Sequence, residues 1–123
     1  MADARTTVAE LRAALAAFVA QRDWQIYHDA KNLSGSILIE AAELLEHFQW
    51  VRNDELPALL QDPAKRAAIA EELADVTCYV LSLANVLGID LSSAVLDKIA
   101  KNARKYPADK FRGRYHKPEA PQA

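Results

Sequence analysis

The sequence predicts an all-α fold, a bundle of four helices, on three observations. Apolar residues recur at helical three- and four-residue intervals. Residues that cap or stop helices stand at the ends of those runs. No alternating strand pattern and no internal repeat occurs, and the connections are short enough to favour antiparallel neighbours.

The helices follow in order. Thr7 and Glu10 have capping-box spacing, and Leu11, Leu15, Phe18 and Val19 continue the apolar face, predicting a first helix to about Arg22. The segment from Asp23 to Asn32 breaks that period yet holds two aromatics, a histidine and a lysine, so it reads as an ordered connection able to line a site. A second helix is predicted from Leu33 to Val51 despite Gly35, followed by a polar link around Pro57. Asp62 before Pro63 is an N-cap and N1 pair that starts the longest helix, which Gly88 stops. Asp90 caps a fourth helix from Leu91 to about Lys105, ended by Tyr106 and Pro107. Residues 1–107 are thus expected to form one helical domain, and residues 108–123 a basic, proline-containing tail.

Composition narrows the class. With 123 residues, half of them hydrophobic, the chain can bury one modest core. Fifteen Lys and Arg against 17 Asp and Glu leave a net charge of −2, which disfavours nucleic-acid binding. The lone Cys78 permits no intrachain disulfide and suggests a buried thiol in a reducing, cytoplasmic setting. Charged residues interrupt the apolar N-terminal stretch, so neither a membrane span nor a signal peptide is expected.

The chemistry-bearing pattern is acidic. Glu40, Glu43 and Glu46 recur at i, i+3 spacing on one stripe, and Glu72 with Asp75 repeats it on the long helix. Between Asn32 and Arg52 there is no Lys or Arg, so no cation on that helix offsets the repulsion. Asp75 is a poor mid-helix residue followed by an uncharged run from Val76 to Ile89, which places it near the core in this reading. A hard divalent cation, Mg²⁺ with Mn²⁺ as a substitute, resolves the conflict by taking the acids as ligands. A wet helix face explains either pair alone; two such pairs, each without helical cations, favour a site. A di-iron bundle would repeat Glu-x-x-His, but residue 43 is Glu and residue 75 is Asp where histidine would stand.

Glu40-x-x-Glu43, 28 intervening residues and then EELAD ending at Asp75 resemble the MazG-like all-α nucleoside triphosphate pyrophosphohydrolases. RDWQIYH from Arg22 to His28, EHFQW ending at Trp50 and KIAKNARKYP from Lys98 to Pro107 are similar to the dCTP pyrophosphatase branch. The resemblance covers most of Leu11 to Pro107. It implies cleavage between the α- and β-phosphates, yielding a monophosphate and pyrophosphate, with Mg²⁺ held by Glu40, Glu43, Glu72 and Asp75. Glu43, Glu46 or Glu71 is then the general base, since a spare carboxylate can take a proton from the attacking water. It also implies homodimers or homotetramers with sites near subunit interfaces. Four short helices with this much apolar sequence independently suggest self-association.

Lys98, Asn102 and Lys105 share one helical stripe that can grip phosphate oxygens, in a stretch from Lys98 to Lys117 that is basic within an acidic chain. Arg104 has no spacing that separates it from a surface arginine. Trp24, His28 and Trp50 flank the acidic helix and offer a stacking platform for a base, with core packing an even alternative for each tryptophan. Tyr79, one turn after Asp75, reaches the same pocket or is structural; His47 and Cys78 are read as structural. The competing class is a non-enzymatic helical interaction module whose acidic stripe meets a basic partner.

Overall fold

The computed structural model describes residues 1–116, so part of the expected tail, residues 117–123, lies outside the described residues. It is all-α: α1 (Val8–Ala20), α2 (Ala30–Glu46), α3 (Leu56–Gln61), α4 (Pro63–Leu87), α5 (Leu91–Lys105) and α6 (Ala108–Phe111), with no strand among the described residues. The four long helices are the four expected; α3 and α6 are additional, and α3 falls within the stretch expected to be a polar link. No single described helix is long and apolar enough to cross a membrane. The chain divides into two units, Met1–Ile89 and Asp90–Ala123.

Local chemistry sets the helix ends. The Thr7 hydroxyl accepts from the Glu10 amide at 3.2 Å while Glu10 Oε2 accepts from the Thr7 amide at 2.6 Å, closing the capping box of α1. The Asp62 carboxylate accepts from the amides of Ala64 and Lys65 ahead of α4, with Pro63 at the first helical position. Gly88 ends α4 in the left-handed region, φ 64°, where its amide donates to Ala84 and Asn85 carbonyls. Asp90 caps α5 through the Ser93 amide.

Two boundaries of α2 differ from expectation. It starts early, at Ala30, because Asp29 accepts from the Asn32 amide at 2.7 Å and serves as its N-cap. It stops early, at Glu46, where the His47 amide turns back to Leu44 and Leu45 carbonyls. Trp50, which a helix running to Val51 would include, instead sits in the turn that follows α2 and is 87% exposed.

In the first unit α4 is the hub, and α1, α2 and α3 pack on it. The core is small: Leu33 of α2, Val19 of α1, and Leu81 and Ala84 of α4 are the buried apolar residues. Arg12 and Asn85 tie α1 to the end of α4. Arg12 Nε donates to Asn85 Oδ1 at 2.8 Å and Nη1 to the Ile89 carbonyl at 2.7 Å, while Asn85 Nδ2 donates to the Arg12 carbonyl at 3.1 Å. Large apolar side chains stay exposed on α2, among them Leu38, Ile39 and Leu45. Cys78 is half-buried rather than buried, and burial together with the nearby Asp75 charge raises its pKa.

Candidate functional site

The packing of α2 on α4 brings the acids together. Glu40, Glu43 and Glu72 each offer a carboxylate oxygen within 4.8 Å of the others. Helical geometry explains it: Glu40 and Glu43 are one turn apart on α2, and Glu72 faces them from α4. Glu40 Oε2 and Glu72 Oε2 are buried and have no hydrogen-bond partner among the described residues. A buried, unpaired carboxylate oxygen is costly, so the donor set fits a hard divalent cation that these oxygens would hold.

The electrostatics record the same conflict. Protonated Glu40 can donate to Glu43, and this hydrogen bond, with burial and the charges of Glu43, Asp75 and Glu72, pushes its pKa up to about 7. The Glu72 carboxyl is also raised, first by burial and then by the charges of Glu43 and Asp75. His47 works the other way, its Nε2 lying 3.9 Å from Glu72 Oε1.

The remaining expected residues divide. Asp75 is exposed, contrary to its expected place near the core, and stands outside the close trio while acting on Glu40 and Glu72 through its charge. The reason is that α4, 25 residues long, presents more surface than the helices packed on it cover. Glu46 and Glu71 are exposed and are not members of the trio. Tyr79 is half-buried on α4. In the second unit α5 carries Lys98, Asn102 and Lys105, all exposed, and the Lys105 ammonium lies 5.2 Å from the centre of the Tyr106 ring.

Trp24 is held edge-on to Phe18, with ring centres 5.8 Å apart, and Arg22 stacks over Phe18 at 3.7 Å. His28 lines an open cavity of about 370 Å³ between α1 and α4, with Gln25, Ser82 and Asn85 as its other polar residues and Val19 and Val86 as apolar wall. Sequence reasoning left out Asn85 and Ser82, which no motif marks, and read as structural His47, whose Nε2 lies 3.9 Å from Glu72 Oε1. The last was within reach, because Glu43 and His47 are four residues apart on the acidic face.

Comparison with known proteins identifies relatives of this chain. A family model described as MazG-like matches residues 36–117. The dCTP pyrophosphatase 1 of Bos taurus is 39% identical over 107 residues, 87% of this chain and 63% of that protein. The Homo sapiens protein of the same name is 41% identical over 102 residues, 83% of this chain and 60% of its own length. The chain thus spans less than two thirds of these relatives. The crystal structure of a pyrophosphatase from Archaeoglobus fulgidus superposes with a TM-score of 0.75 at 46% identity, covering 80% of this chain and 90% of that one. A matching family model over most of the chain, relatives from the expected branch and a shared helical fold establish that this protein belongs to the MazG-like family.

Proposed function

We propose that the protein is a Mg²⁺-dependent nucleoside triphosphate pyrophosphohydrolase that converts dCTP or a related pyrimidine nucleotide to its monophosphate and pyrophosphate. The observation that carries this reading is the pair of buried, unpartnered oxygens on Glu40 and Glu72 beside Glu43, in a chain about 40% identical to proteins named dCTP pyrophosphatase 1. Glu40, Glu43 and Glu72 hold the ion, with Asp75 completing the set after a change of rotamer; Mn²⁺ is a substitute. Bound there, the ion neutralises triphosphate charge and acidifies water.

The chain's own groups supply the rest. Glu43, the exposed member of the trio, is the first candidate to take the proton of the attacking water, ahead of Glu46 and Glu71, which lie outside it. Lys98, Asn102 and Lys105 grip phosphate oxygens. Trp24, His28, Trp50 and Tyr79 bind the base, with His28 contributing the polar edge of its cavity. The exposed Leu38, Ile39 and Leu45 support a homodimer or homotetramer, and the single cysteine supports a cytoplasmic setting.

The test is incubation with a panel of ribo- and deoxynucleoside triphosphates and Mg²⁺, resolving all phosphate products. Monophosphate plus pyrophosphate, lost with EDTA, is expected, with dCTP among the best substrates. Diphosphate plus phosphate would refute the bond assignment, and no turnover of any nucleotide would leave the helical interaction module in its place.

A further inference from the structure

Resting on the nucleotide-hydrolysis reading above, we propose that Asn85 is the specificity-determining residue of the cavity between α1 and α4, where its side-chain amide donates to N3 of a cytosine ring and rejects uracil and thymine. The cavity, about 370 Å³, has the size of a small-molecule site, and four polar side chains converge on its otherwise apolar wall: Gln25, His28, Ser82 and Asn85. Ser82 is only 5% exposed, yet its hydroxyl makes no hydrogen bond to another described residue. A buried hydroxyl without a partner calls for one, and the cavity is where a ligand would supply it.

The cavity lies in line with the acidic site. Asp75, Tyr79, Ser82 and Val86 recur at i, i+4, i+7 and i+11 on α4 and share one stripe. Ser82 stands about 10 Å along the helix axis from Asp75. A nucleotide whose phosphates meet the acids therefore reaches the cavity with its base.

Of the four polar groups, Asn85 alone is fixed in orientation. Its Oδ1 accepts from Arg12 Nε at 2.8 Å and its Nδ2 donates to the Arg12 carbonyl at 3.1 Å. A flipped amide would set its NH₂ against the guanidinium and its oxygen against the carbonyl, so Arg12 holds it one way round. One Nδ2 hydrogen remains, and it can only donate. Gln25, His28 and Ser82 make no side-chain hydrogen bond among the described residues, so each can turn to suit a donor or an acceptor. They bind a pyrimidine without telling one kind from another. N3 is an acceptor in cytosine and carries a hydrogen in uracil and thymine. The fixed donor of Asn85 pairs with the first and meets a second donor in the others.

The test offers the full chain equal dCTP and dUTP with Mg²⁺, and follows the Asn85 side-chain amide by NMR as dCMP or dUMP is added. The wild type is expected to favour dCTP by about tenfold or more in kcat/KM, and dCMP is expected to move the amide resonance further than dUMP. Asn85→Asp keeps an acceptor towards Arg12 and turns a second acceptor to the base, so it is expected to erase or invert the ratio, whereas Gln25→Ala slows both substrates alike. An amide resonance indifferent to dCMP, or a folded Asn85→Asp chain that keeps the wild-type ratio, overturns the role of Asn85 and leaves the hydrolysis reading standing. No turnover of either triphosphate, with dCMP still moving the amide, overturns the hydrolysis reading and supports the base pocket.

Discussion

Lowering the pH from 8 to 6 should weaken Mg²⁺ binding by about tenfold. The ion needs ionised carboxylates, and Glu40 holds its proton up to a pKa of about 7 through its hydrogen bond to Glu43, its burial and the surrounding charges. One such group is about 90% ionised at pH 8, half ionised at pH 7 and about 9% ionised at pH 6, so binding that expels this proton loses about a factor of ten over that interval. A further unit, to pH 5, costs about ninefold more. The metal-free chain behaves in the opposite sense. Its Glu40 binds more protons folded than unfolded between the ordinary value of 4.5 and about 7, so its contribution to stability falls as pH rises through that window. Calorimetric titration with Mg²⁺ at pH 5, 6, 7 and 8, beside thermal melts with and without the ion, measures both trends. Raising the pH should widen the gap between the two melting curves. Mg²⁺ affinity that stays flat from pH 5 to 8 would refute the argument, because no proton would then be leaving the ligand set.

Glu43→Gln should abolish nucleotide turnover while preserving the helical circular dichroism, since Glu43 is exposed and caps nothing; retained turnover would remove it from the site. Asn85→Ala removes one charge-assisted and one neutral hydrogen bond to Arg12, and should cost about 2–4 kcal/mol in chemical denaturation; a loss below about 0.5 kcal/mol would mean the clasp is idle. A Cβ at Gly35 meets nothing within 4 Å, so Gly35→Ala should add about 0.5–1 kcal/mol to the stability of α2, whereas a fall would indicate that another copy covers that face. Trp50→Ala should leave the melting temperature within a few degrees, because the side chain is 87% exposed, yet raise the KM for dCTP. An unchanged KM would exclude Trp50 from base binding.

Much of this architecture is written locally. The Thr7–Glu10 box, the Asp62–Pro63 start and the Gly88 stop are each decided by a few adjacent residues, and each forms as its spacing predicts. The end of α2 is less local. Nothing between Glu46 and Trp50 is a strong helix breaker, and the helix ends where the His47 amide turns back on the preceding carbonyls. The meeting of Glu40 and Glu43 with Glu72 was legible because matching i, i+3 spacings on two packed helices leave few ways to orient both pairs. The exposure of Asp75 was not. An uncharged run after an acid reads as burial, but a 25-residue helix in a small protein has more apolar surface than its neighbours cover. His47 reads as structural because a lone histidine carries no motif, and only the approach of α4 puts it against Glu72.

The contrast between the two tryptophans, 43% and 87% exposed, gives the molecule two optical reporters. Trp24 is fixed against Phe18 beside the Arg22 guanidinium, whereas Trp50 stands almost wholly in solvent. Indole emission shifts to longer wavelength in water, so the two should emit as separable bands, the redder one from Trp50. A second copy closing over the turn after α2 would move the red band alone, whereas a base held by both tryptophans would move the two bands together.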